Sequence, residues 1–175
     1  MEYNYLPNTN IKVSKICLGT MTWGRQNTQE EAFEQMNFSL DNGVNFFDTA
    51  ELYPIPATPD KYADTEKIIG NWFSKTRNRD KVILATKIAG PGDYTAHIRK
   101  TGFKGSSINE AVEGSLKRLK TDYIDLYQLH WPERITNTFG NRSFQYYNDS
   151  WEDNFEEILH NALCLLFMGH SSYSR

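Results

Sequence analysis

The sequence predicts an α/β protein built on a parallel sheet, because short apolar segments alternate with amphipathic helical segments four times. The apolar segments lack a clean in–out alternation, as strands covered on both faces do. Two architectures fit that order: an open doubly wound sheet, or part of a (β/α)8 barrel. A complete barrel takes about 250 residues, so the 175 residues of this chain would supply roughly the first four βα units of one.

Each element has its own signal. "YNYLPNTNIKVSKI" predicts a hairpin of two short strands around Pro7-Asn8. "KICLGTMTWG" reads as a strand running into a glycine-rich loop. Thr28 and Glu31 form a capping box ahead of a helix whose apolar residues, Ala32, Phe33, Met36 and Leu40, recur at helical spacing until Gly43 stops it. "VNFFDTA" is the next strand. Ile68, Ile69, Trp72 and Phe73 then share one helical face, followed by the continuous apolar strand "KVILATKIAG". Ser107 and Glu110 read as a second capping box, leading a stripe of Ile108, Ala111, Val112, Ser115, Leu116 and Leu119. "YIDLYQLHWP" is the fourth strand, and "SWEDNFEEILHNALCLL" predicts a further helix after a polar, aromatic loop.

Composition narrows the function classes. Hydrophobic residues make up 39% and charged residues 23%, which fits a single globular domain over residues 1–175. A net charge of −3 argues against a nucleic-acid partner. No apolar run reaches the ~18 residues of a membrane span. No signal peptide is visible, so a cytoplasmic location is expected, with Cys17 and Cys164 as free thiols and no metal site. There is no GxGxxG, and "AGPGDY" reads as turn chemistry.

The candidate chemistry lies at strand ends. Asp48 follows "NFF", Lys87 follows "VILAT" and His130 follows "DLYQL", all in the same register, and Tyr53 stands five residues beyond Asp48. In α/β barrels the C-terminal strand ends line the active site. Singly, each has a structural explanation: Asp48 as a turn cap, Lys87 as a solvated strand end, His130 as a bonded core histidine. Together they suit proton transfer. A free tyrosine has a pKa of about 10; a neighbouring ammonium would lower it, and a carboxylate would keep that ammonium charged. Histidine could orient a carbonyl oxygen.

Those residues sit in "CLGTMTWG", "FDTAELYP", "ATK", "SLKRLKTDYIDLYQLHWP" and "TNTFG", and with them the chain resembles the aldo-keto reductases, in particular their Tas-like bacterial subgroup, over about residues 1–160. The resemblance implies a (β/α)8 barrel closed at its base by the hairpin, and NADPH-dependent reduction of aldehydes or ketones without a metal. It implies Tyr53 as proton donor, Asp48 and Lys87 as its tuning pair and His130 as the substrate-orienting residue. It places Thr20, Met21 and Asp48 at the cofactor, and Trp23, His130 and Trp131 in the pocket for a small carbonyl substrate.

The resemblance stops short of a whole enzyme. Residues 161–175 form an atypical tail, apolar on all sides through "ALCLLFMG", where the family continues into a fifth strand. A truncated product is therefore expected. Tight NADPH binding by this chain alone is not expected, because the family holds the phosphates with its second half. The alternative is a noncatalytic remnant, a partner-binding half-barrel that associates through its open sheet edges around Leu18 and Leu126.

Overall fold

The computed structural model describes residues 1–104, 106–133 and 156–159. The first two strands, β1 (Tyr3–Tyr5) and β2 (Lys12–Ser14), pair antiparallel as a hairpin. The chain then builds a four-stranded parallel sheet in the order β3 (Cys17–Gly19), β4 (Phe46–Asp48), β5 (Ile83–Ile88) and β6 (Leu126–Leu129). Three helices provide the crossovers: α1 (Gln29–Asp41), α2 (Asp64–Thr76) and α3 (Ser107–Leu119). Sequential parallel strands joined through helices are the repeating unit of a (β/α)8 barrel. Residues 156–159 are helical, and the rest of the expected fourth helix, with the tail, lies outside the described residues.

The hairpin sits at the N-terminal end of the sheet. Asn45, just ahead of β4, receives the Ser14 N–H on its side-chain oxygen at 2.7 Å and donates to the Lys12 carbonyl at 3.0 Å. The Tyr3 hydroxyl bonds the Gly43 carbonyl at 2.8 Å. Gly43 takes φ +79°, a left-handed conformation that glycine adopts without a Cβ penalty.

The helices form where the stripes predict. At the start of α1 both bonds of the Thr28–Glu31 capping box are made. The second box differs: Ser106, not Ser107, precedes α3, and its hydroxyl bonds the Glu110 carboxylate instead of a backbone N–H. Ser107 instead pairs with the Thr101 hydroxyl at 2.7 Å. Only Ser107 has the capping-box spacing to Glu110, and its hydroxyl is taken by Thr101, so the helix begins one residue earlier with no side-chain cap.

One core lies between the sheet and the helices. Phe47 and Leu84 on the strands meet Ala32 and Met36 of α1 and Ile69, Trp72 and Phe73 of α2. A second cluster gathers Ile88, Phe103, Ile108, Ala111 and Ile158 under α3. Helices α2 and α3 approach closely at Gly70, where an added Cβ would lie 2.1 Å from the Arg118 carbonyl oxygen. Alternation along the strands turns Phe46, Asp48, Ile83, Lys87 and Gln128 to the opposite face, which is only partly covered. Among the described residues β3 and β6 are the outer strands. No helix of the described residues is long and apolar enough to cross a membrane.

Candidate active site

Parallel register brings the strand ends to one level. Gly19 is beside Asp48, Asp48 beside Ala85, and Lys87 beside Gln128. Lys87 thus reaches across to Asp48, with Nζ 2.6 Å from Oδ2, and also donates to the Thr49 carbonyl at 2.7 Å. The Gln128 amide donates to the other Asp48 oxygen at 3.3 Å. The lysine side chain is 12% exposed and the aspartate 30%. The pair is half-desolvated, and each charge offsets the other's cost of leaving water.

Tyr53 comes back over this pair. The turn is made by a Tyr53 N–H bond to the Ala50 carbonyl and an Ile55 N–H bond to the Met21 carbonyl, at 3.1 and 2.9 Å. The ring is buried against Leu52, Ala89, Ile98 and Trp131. Lys87 Nζ stands 4.9 Å from its centroid, and the His130 ring meets it edge-on at 5.6 Å. The structure therefore brings Asp48, Tyr53, Lys87 and His130 together at one end of the sheet. Trp131 stacks at a tilt on His130, 5.1 Å between centroids, and its indole N–H bonds the Pro91 carbonyl. Gly90 makes room for it, since a Cβ there would lie 2.2 Å from the indole nitrogen.

The electrostatics differ from the expectation in one respect. The sequence suggests that Lys87 lowers the Tyr53 pKa. Instead, burial and then the Asp48 carboxylate push it up to about 12. The ammonium faces the ring and is already paired with Asp48, so loss of water around the hydroxyl dominates. His130 moves the other way, down to about 4, through burial and the Lys87 charge. Its Nδ1 is buried with no hydrogen-bond partner. The Cys17 thiol is free, and burial followed by Asp48 pushes its pKa up to about 11, so it stays protonated.

The remaining residues fall in three places. Thr20 is fully buried and donates from its hydroxyl to the Asp48 carbonyl at 2.9 Å, fixing the strand end. Met21 is half-exposed beside it. Trp23, expected in the pocket, is fully buried in the core between sheet and helices, and its indole N–H bonds Gln35 at 2.9 Å. The turn after β3, closed by a Trp23 N–H bond to the Thr20 carbonyl, sends the side chain away from Asp48.

Sequence reasoning missed a buried ion network behind the site. Glu51 and Glu66 are fully buried. Glu66 accepts from the Thr86 hydroxyl and from Arg118, each at 2.6 Å, and Glu51 pairs with Arg99. In sequence these carboxylates look like ordinary polar positions. One signal was present: Glu51 lies in the apolar-flanked "TAEL", where a surface carboxylate is out of pattern.

Comparison with known proteins identifies the family. The aldo/keto reductase family model matches residues 15–162. The chain is 42% identical to the Protein tas of Escherichia coli over 155 residues, covering 87% of this chain and 43% of that one. It is 45% identical to the oxidoreductase YrpG of Bacillus subtilis over 141 residues, covering 78% and 42%. Among solved structures, the holo form of aldo-keto reductase AKR11C1 from Bacillus halodurans superposes with a TM-score of 0.58 at 33% identity, covering 74% of this chain and 40% of that one. The chain spans less than half the length of these relatives. With most of its residues inside the family match, the chain belongs to the aldo/keto reductase family.

Proposed function

We propose that this chain carries the carbonyl-side half of an NADPH-dependent reductase site, which reduces an aldehyde or ketone to an alcohol with Tyr53 as proton donor. The observation that supports it most is the Asp48–Lys87 pair beneath a buried Tyr53 ring, next to an unpartnered His130 nitrogen. The raised pKa keeps the phenol protonated at neutral pH, ready to give its proton to an oxygen that becomes an alkoxide, a far stronger base. Lys87 lies over the Tyr53 ring and is held there by Asp48. His130, held neutral, can hydrogen-bond the carbonyl oxygen without competing as an acid.

The residues present fit the reacting end of a nicotinamide cofactor. Met21 and Asp48 are partly accessible there, and Thr20 acts through its bond to Asp48. When bound, the cofactor would supply the hydride to the carbonyl carbon. Among the described residues, Lys87 is paired with Asp48 and Arg99 with Glu51, which favours phosphate anchoring by other parts of the family fold. A cytoplasmic setting suits this chemistry and the free Cys17 thiol.

The test joins residues 1–133 to the part of AKR11C1 that follows the position matching residue 133. A folded chimera should oxidise NADPH only when an aldehyde or ketone is added, with NADH as the comparison. A folded chimera that consumes neither would overturn the reading.

A second reading, a noncatalytic half-barrel that binds a partner or its own copy, draws on the outer strands β3 and β6 and on Phe46, Ile83 and Leu126, which are only partly buried. It predicts dimers in light scattering of the purified chain. A monomer across a wide concentration range would remove its self-association form.

A further inference from the structure

We propose that Glu51 is a positioning residue whose buried carboxylate clamps the Tyr53 segment to the segment that follows β5. Glu51 stands between Asp48 and Tyr53 in sequence and is fully buried. One carboxylate oxygen accepts the Ala89 N–H at 2.6 Å and the Arg99 guanidinium. The other accepts from a second Arg99 nitrogen at 3.2 Å and from the Tyr62 hydroxyl at 3.3 Å. The Glu51 N–H bonds the Lys87 carbonyl at 3.1 Å.

These bonds lie beyond the Lys87 contacts with Asp48 and the Thr49 carbonyl, and Arg118 faces the second Glu51 oxygen at 3.9 Å. Ala89 lies two residues past Lys87, and Arg99 belongs to the loop carrying Ile98, which packs against the cluster that holds Tyr53. The Glu51 side chain therefore adds to the Lys87 contacts by fixing the chain beyond Lys87 against the Tyr53 segment. A carboxylate with four donors in a dry site has one low-energy arrangement, and the planar two-pronged Arg99 contact fixes its orientation. The clamp rests on the reductase reading only for the roles of Tyr53, Lys87 and His130; its geometry stands without it.

His130 gives a readout independent of activity. The groups facing it are Lys87, Asp48, Glu51 and the rings of Tyr53 and Trp131. Histidine-ring NMR of the full chain, with H130Q for assignment, should show His130 titrating well below the ordinary histidine value of 6.5. In E51Q the direct effect of deleting a carboxylate would lower the midpoint further, because that charge favours the imidazolium. Release of the clamp has the opposite sign: the Tyr53 ring leaves, water reaches the imidazole, and the midpoint rises by about one pH unit or more. The Tyr53–His130 ring contact should vanish from the NOE spectrum as well. R99K keeps the positive charge but not the two-pronged contact, should show the same rise, and carries the test if E51Q does not fold. A His130 midpoint unchanged or lowered in the folded variant, with the ring contact kept, would overturn the clamp. An inactive chimera would count against the reductase reading and leave this result untouched.

Discussion

Lys87 holds its ammonium 4.9 Å from the centre of the Tyr53 ring while bonding the Asp48 carboxylate and the Thr49 carbonyl. One cation thus serves a carboxylate, a backbone dipole and an aromatic face. Lys87→Met would leave Asp48 with the long Gln128 contact alone. The expected loss is about 1–3 kcal/mol in urea denaturation, the cost of stranding a partly buried charge. Asp48→Asn in the same chain should return part of it, and the double-mutant cycle should give a coupling of about 1–2 kcal/mol. Additive losses would mean that the pair is not coupled in solution.

Tyr53→Phe removes a hydroxyl and leaves the ring contacts in place. In the AKR11C1 chimera it should lower carbonyl reduction by about 10²–10⁴-fold, the usual contribution of a positioned acid, with little change in NADPH affinity. Because the phenol pKa is pushed up to about 12, the wild-type site should show no loss from Tyr53 ionisation between neutral pH and about 10. Near-full turnover by the Phe variant would remove Tyr53 as the donor.

His130 predicts an acid limb in stability. Its pKa falls from 6.5 in the unfolded reference to about 4 in the fold. Between those values the unfolded chain binds a proton that the folded chain refuses, so stability rises with pH. The contribution is complete above the unfolded value and is lost as pH falls toward the folded one. Since solvent reaches part of the ring, the change is on the order of 1–2 kcal/mol. Denaturation at several pH values should show a shallower slope in His130→Gln than in the wild type across this window.

Gly70→Ala tests the contact between α2 and α3. The new methyl would meet the Arg118 carbonyl oxygen and the Leu119 backbone, neither of which can rotate away. A loss of about 3 kcal/mol is expected, at the top of the range for overpacking. A variant within 1 kcal/mol of the wild type, roughly the effect of an ordinary surface change, would show that the helices can separate freely.

Much of this was legible because it follows from period and register. The α2 stripe of Ile68, Ile69, Trp72 and Phe73 is buried as its spacing predicts. Asp48, Lys87 and His130 end successive strands, and parallel pairing of those strands places them together. What failed depends on partners far along the chain. The acidity of Tyr53 is set by burial against Ala89, Ile98 and Trp131. Trp23 occupies a strand-end position like the others, yet one turn of backbone sends it to Gln35. Glu51 and Glu66 are buried only because Arg99 and Arg118 reach them across 48 and 52 positions.

Glu66 has one further consequence, for motion. From α2 it holds Thr86 in the middle of β5 with one oxygen and Arg118 on α3 with the other. Neither helix can lift from the sheet without exposing a charge or leaving it unmatched. Helices α2 and α3 and strand β5 should therefore open as one cooperative unit, with amide hydrogens that exchange at a common rate. The hairpin β1–β2 is tied mainly through Asn45 and Tyr3, and its amides are free to exchange sooner.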